Sequence, residues 1–524
     1  MSLARTAAVC LLLLWSRPGR LLAQVDTTAQ TPLQYDITLV PSDTSAHLLG
    51  EVQTAWRLRT VNPVELRLDS TFRVIRVLVD GKPNTRLSRT MYARQGGEVV
   101  VPHEKAPGDT LSTRVRYHGI PRGGFRVGPN QYGERTLAAT TSNGAARLWL
   151  PVPGGPPARV AVSLNVQASD SERVAGPGTL ERIDTLSYGR STWHFRLDEP
   201  VPLTGIALAA GRYVVTSLAR DGCPGRCVPV TAWSYRQDEE FAVKGPFRRS
   251  GQMVDYFAGL VGTFPYPGLA HVESTLPGVT AGASVALYDE AAYRRRALDE
   301  TTVARATAGQ WFGNAVAPGD SAAQVLSDGL AEYLAALWLG HADGDSAFRA
   351  RMRTLADSAR RAGPDGASAG SSSRVEAARG AWIVHQLRGL VGDSAFFGGL
   401  AQYYRAYRDS TVGASELERI MSAAAGKDLG WYFQQALTRP GYPIVEVRWR
   451  QQGRTLALEL RQTQPRAWGA FRVPGLGVRV DGRVVTVDLT GPVTRTELKD
   501  VRGKVKRVEV DEVGWWLVEE KVGR

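Results

Sequence analysis

Histidine is scarce in this chain. It occurs seven times in 524 residues, as His47, His103, His118, His194, His271, His341 and His385, and no two stand four apart. A helix-borne zinc site needs two imidazoles at that spacing, so this chemistry has no starting point here. Cysteine is scarcer still, with Cys10, Cys223 and Cys227 the whole complement. Beyond the first two dozen residues no apolar run is long enough for a membrane-spanning helix. No Gly-x-Ser-x-Gly elbow joins a strand to a helix, which leaves serine nucleophile chemistry without its usual support. The net charge of +13 comes largely from arginines scattered along the chain rather than gathered in a run. With no DNA- or RNA-binding motif beside them, they read as solvated faces, and no nucleic-acid partner is expected.

What is present divides the chain. Its length exceeds one core and suggests about three domains. At the N-terminus Arg5 precedes a short apolar stretch from Thr6 to Trp15, and Leu21-Leu22-Ala23 offers a cleavage site before Gln24. Residues 1–23 therefore read as a signal peptide, and the protein as exported, periplasmic or secreted. In an oxidising compartment Cys223 and Cys227 suggest a short-loop disulfide, with a metal pair as the alternative. Residues 24–218 alternate apolar and polar, as in Arg159-Val160-Ala161-Val162-Ser163-Leu164, and predict a β-sandwich. Residues 219–440 carry helical stretches at 299–316, 329–339, 345–361, 374–390 and 394–407, and Ser415 with Glu418 suggests a capping box. After Pro440-Gly441-Tyr442-Pro443 alternation returns, and 441–524 predicts a small β-sandwich. The fold class expected is multidomain α+β.

Four segments of the middle region share an order and spacing. They are Gln310-Trp311-Phe312-Gly313-Asn314, Leu326-Ser327-Asp328-Gly329-Leu330-Ala331-Glu332-Tyr333, Arg379-Gly380-Ala381-Trp382, and Asp428-Leu429-Gly430-Trp431-Tyr432-Phe433 with Arg439-Pro440-Gly441-Tyr442-Pro443 after it. Together they resemble the M1 family of zinc aminopeptidases over essentially the whole chain after the signal segment. The resemblance implies a thermolysin-like middle domain, where a His-Glu-x-x-His helix runs directly into the Gln-Trp-Phe-Gly-Asn string. A Glu separated from the second His by eighteen residues completes the metal site, and the Glu of the helix activates water.

At those positions this chain has other residues. Arg305 stands at the first ligand, Ala306 at the base and Gly309 at the second ligand, with Asp328 at the third. Ala377 replaces the Tyr that the family uses to stabilise its intermediate. Gly282-Ala283-Ser284-Val285-Ala286 replaces the Gly-x-Met-Glu-Asn segment that captures the substrate amine, so Gly282, Ala283 and Val285 are remnants of a cleft. Packing residues of the same motifs, Trp311, Phe312, Tyr333, Leu334 and Trp338, are retained.

The expectation is a pseudopeptidase that binds peptides or an envelope protein, or serves as a scaffold. No cofactor is expected. The alternative is an active aminopeptidase, or another hydrolase, with an unrecognised site, and zinc enters only there. His271 and Glu273 are the nearest candidates for a replacement cluster, and His385 reads as a packed core histidine. The stretch from His341 to Asp345 reads as a turn and cap rather than a calcium loop. Finally, the lost dication predicts that Arg305 pairs with Asp328 where the metal stood.

Overall fold

The computed structural model describes residues 30–83, 97–154, 158–218, 227–361, 373–510 and 514–521. The signal segment and Cys223 lie outside the described residues, so cleavage near Gln24 and the Cys223–Cys227 bridge remain expectations.

Alternation in the first third produces an eight-stranded sheet. Its order is Thr179–Leu186, Arg190–Pro202, Arg159–Ser169, Gln30–Pro41, Leu48–Leu58, Thr110–Gly119, Arg73–Val79 and Lys82–Pro83. Smaller sheets of four and three strands complete the β-rich region. Every second side chain of Leu48–Leu58 is buried, Val52 and Trp56 among them. That is the signature of a strand with one face on the core.

The middle region opens with five strands in the order Tyr213–Ser217, Val230–Tyr235, Leu269–Ser274, Val285–Asp289 and Val279–Gly282. Tyr213–Ser217, before the expected boundary at 219, thus pairs with Val230–Tyr235, after it. Two helices, α1 (Glu239–Lys244) and α2 (Ser250–Val261), come between the second and third of these strands in the chain, and the rest follow the sheet: α3 (Glu290–Arg294), α4 (Glu300–Ala308), α5 (Ser321–Asp343), α6 (Asp345–Arg360), α7 (Ser373–Val391), α8 (Asp393–Tyr407), α9 (Ala414–Ala425) and α10 (Gly430–Thr438). None of the described helices is long and apolar enough to cross a membrane.

Helix ends and one cap differ from expectation. The helix predicted to reach Val316 stops at Ala308, and the chain turns back through Gly313 at φ 121°. The helix predicted from 329 begins at Ser321, because Asp320 caps it by accepting from the Ala323 amide at 2.7 Å. Asp328 is therefore mid-helix and caps nothing. The capping box does not form either, since α9 starts at Ala414 and the Ser415 hydroxyl donates to Glu416 instead.

Two motif glycines explain how α5 and α7 pack. A Cβ on Gly329 would fall 2.2 Å from the Gly380 carbonyl carbon, and one on Gly380 would fall 2.1 Å from the Val325 oxygen. Only glycine on both helices permits this backbone contact. The C-terminal region consists of a four-stranded sheet built on Ile444–Gln452 and a three-stranded sheet built on Val473–Val480. It meets α7 where Trp515 stacks on His385 at 4.8 Å.

Candidate functional site

The former ligand and base positions lie on α4, at its C-terminus, and on α5, Ala377 lies on α7, and Gly282, Ala283 and Val285 lie at the hairpin of the two last strands of the middle sheet. Asp299 starts α4 by accepting from the Thr302 amide at 2.8 Å, and the helix presents Arg305 towards α5. Arg305 does not pair with Asp328. Its Nε lies 3.5 Å from an Oε of Glu332, and no ion pair within 4.0 Å joins it to Asp328. The expected pair is thus replaced by one a helical turn further along. The reason is reach and company. Glu332 has one methylene more than Asp328, and its other oxygen is fixed by Arg351 of α6 at 2.6 Å. The result is an Arg305–Glu332–Arg351 chain, with the glutamate side chain only 11% exposed and the arginines 35% and 24%. Asp328 is left with the Gln324 amide at 3.0 Å. Burial raises its carboxyl pKa, and that hydrogen bond and the nearby Arg305 charge only partly offset the rise.

The other positions that the sequence marked are small and buried. Ala306 and Ala377 are 2% and 4% exposed. Gly309 closes α4, and a Cβ there would come within 3.3 Å of the Ala281 Cβ on the edge strand. Ala283 and Val285 are fully buried.

The Gln-Trp-Phe-Gly-Asn string holds that edge strand. Gln310 donates through Nε2 to the Gly282 oxygen at 3.0 Å and accepts from the Ser284 amide at 2.8 Å. Asn314 donates to the Ala281 oxygen at 2.8 Å. Trp311, fully buried, donates to the Gly262 oxygen at 2.9 Å. Ser284 takes φ 68° at the hairpin between the two strands, a left-handed conformation that the amide clamp helps to hold. Gln310 and Asn314 are therefore struts between the end of α4 and the sheet, whereas Trp311 and Phe312, the packing residues of the string, are buried in the core.

A second cluster lies where the N-terminal region meets the middle sheet. Glu273, fully buried on Leu269–Ser274, accepts from the Tyr235 amide at 3.0 Å and from Gln131 Nε2 at 3.2 Å. The same Nε2 donates to Asp238 at 2.9 Å, and the Tyr132 hydroxyl reaches Asp238 at 2.7 Å. Glu290 accepts from the Gln131 amide at 2.9 Å. Burial, reinforced by the neighbouring Asp238, pushes the Glu273 pKa up to about 10. His271, two residues earlier, is also fully buried. It hydrogen-bonds Tyr288 at 2.9 Å and stacks on Phe247 at 4.9 Å, and burial lowers its pKa to about 3. His385 is a core residue between Tyr333 and the Gly514 oxygen. Among the described residues no group of three or more His, Cys, Asp and Glu side chains is placed to hold a metal ion. The sequence pointed to Glu273 but not to Asp238 or Gln131. They lie far apart along the chain, Asp238 just before α1 and Gln131 in a turn between two strands.

Comparisons with known proteins locate this geometry in fold space. No family model matches the chain. Aminopeptidase N of Lactococcus lactis subsp. lactis is 32% identical over 84 residues, which is 16% of this chain and 10% of that protein. Probable aminopeptidase 1 of Sulfurisphaera tokodaii is 30% identical over 69 residues, 13% of this chain and 9% of that one. The match thus spans about a tenth of each curated relative. Among solved structures, an M1 zinc metallopeptidase from Deinococcus radiodurans superposes with a TM-score of 0.66 at 22% identity, covering 79% of this chain and 95% of that one. Legionella pneumophila aminopeptidase A, in complex with aspartic acid, gives 0.80 at 13% identity, covering 95% of this chain and 60% of that one. The fold, multidomain α+β with β-rich ends and a helical middle, is that of the M1 aminopeptidases.

Proposed function

We propose that this protein is an exported, non-catalytic relative of the M1 aminopeptidases that keeps their fold as a peptide-binding or scaffold module. The observation that carries this reading is the guanidinium of Arg305 at the first-ligand position, engaged by Glu332. The residues there do not fit a zinc ion. Zinc takes imidazole, thiolate or carboxylate donors in a tetrahedral set. Arg305 is a fixed cation without a lone pair to offer, Gly309 has no side chain, and Glu332 is taken up by two guanidinium groups. Asp328 alone remains, with its charge disfavoured by burial. The buried small residues at 306 and 377 supply neither a base nor a hydroxyl.

The test is metal analysis of purified, exported protein together with an assay on aminoacyl anilides. The expected result is substoichiometric zinc and no turnover above a blank. Stoichiometric zinc with turnover would instead establish an active aminopeptidase. Turnover without zinc would point to another hydrolase site. On the same reading the exported chain begins near Gln24, and Cys223 and Cys227 are joined, which intact mass with and without reductant detects.

A further inference from the structure

Thr179–Leu186 is the outermost strand of the eight-stranded sheet, and among the described residues it pairs only with Arg190–Pro202. All eight of its residues are exposed. Leu180, Ile183 and Leu186 are among the exposed large hydrophobic residues, and Tyr188 in the following turn is completely exposed. A long free edge is a template for a further strand. Proteins usually blunt such edges with lysine, proline or a covering element. This strand contains neither lysine nor proline, and its charges, Glu181, Arg182 and Asp184, include a pair of opposite sign that a second copy can match.

We propose that this edge pairs with the same edge of a second copy of the chain, antiparallel and about a two-fold axis through Ile183. The sequence Arg182-Ile183-Asp184 is complementary to itself in that arrangement. Ile183 faces Ile183 of the second copy, and each Arg182 faces the other chain's Asp184. The register within the chain puts these contacts on separate faces. Arg182 and Asp184 lie opposite His194 and Thr192, whereas Ile183 lies opposite the half-buried Trp193. Two charge pairs therefore form on one face of the joined sheet, and an apolar patch of Ile183 and Trp193 from both chains forms on the other. The irregularity between Leu180 and Arg182 confines the matched register to the stretch that follows it. Within one chain Arg182 and Asp184 already touch at 3.2 Å, and His194 reaches Asp184 at 2.8 Å. The Arg182–Asp184 contact is exposed on both sides, contributes little and can be exchanged across the axis. The same patch meets itself, so the assembly is closed and isologous. An eight-residue edge buries less than the roughly 1,200–2,000 Å² of a standard stable interface, so the dimer is weak and depends on concentration.

Charge reversal tests this on the full chain by sedimentation velocity across a micromolar concentration series. Wild type is expected to pass from monomer to dimer. Arg182→Asp sets like charges opposite each other twice and should weaken association at least about ten-fold, and Asp184→Arg should do the same. A mixture of the two single variants should form heterodimers, and the double variant carrying both reversals should dimerise as wild type does. These side chains are exposed, so unfolding midpoints should stay unchanged, which separates lost association from lost fold. A wild type that stays monomeric throughout, or dimerisation indifferent to Arg182→Asp, overturns the proposal.

Discussion

Glu332 lies between two guanidinium groups, and most of its environment is protein rather than water. Replacing it with alanine leaves Arg351 without its 2.6 Å acceptor and Arg305 without its partner on α5. Glu332→Ala should therefore cost about 1.5–3 kcal/mol of stability, the range for hydrogen bonds to charged groups, read as a shift in denaturant midpoint. Asp328→Asn should cost much less, because that carboxyl has only the Gln324 amide. Glu273 makes a prediction of opposite sign. Its folded pKa, about 10, lies above the roughly 4.3 of an unfolded glutamate. The folded state thus holds the proton more tightly. Its contribution is complete below the unfolded value and is lost as pH rises through the window towards 10. Across that window wild type should lose up to about 1.4 kcal/mol per pH unit relative to Glu273→Gln, which cannot titrate. Denaturant midpoints of both proteins between pH 5 and 8 give that difference, and parallel profiles would show that Glu273 ionises freely. At this scale the sequence was half legible. Spacing located Arg305 and Asp328, but the choice of Glu332 depended on side-chain length and on an arginine that α6 brings in.

The crossing of α5 and α7 is set by two glycines rather than by side chains. A methyl on Gly380 would fall 2.1 Å from a backbone oxygen, and no rotamer can relieve a clash with main chain. Gly380→Ala should therefore destabilise by about 3 kcal/mol, the upper part of the range for overpacking. Gly398→Ala on α8, where a Cβ meets nothing within 4 Å, is the control and should be neutral or stabilising. Helix existence was legible from apolar periodicity, and three of the helices lie within a residue or so of expectation. The ends of α4 and α5 were not, because tertiary demands set them. The chain leaves α4 early so that Gln310 and Asn314 reach the edge strand, and it enters α5 early because Asp320 provides a cap.

For the whole molecule, the switch from period two to helical periodicity and back gave the order of the three regions. Tyr213–Ser217 pairs with a strand beyond the expected boundary at 218, because its own alternation cannot say which sheet it joins. Contacts between regions were invisible in the sequence, since they join residues far apart along the chain. Gln131 on its turn meets Glu273 and Asp238, and Trp515 meets His385. The clamp on the edge strand bears on how any guest could be received. Extended peptides commonly enter a groove by adding themselves to an exposed sheet rim, their main chain bonding to that of the rim. Here the oxygens of Ala281 and Gly282 already accept from Asn314 and Gln310. A visiting strand would have to compete with amides anchored just beyond the end of α4. Recognition by backbone zippering is thereby closed at this stretch, and a partner seated there must be selected by its side chains.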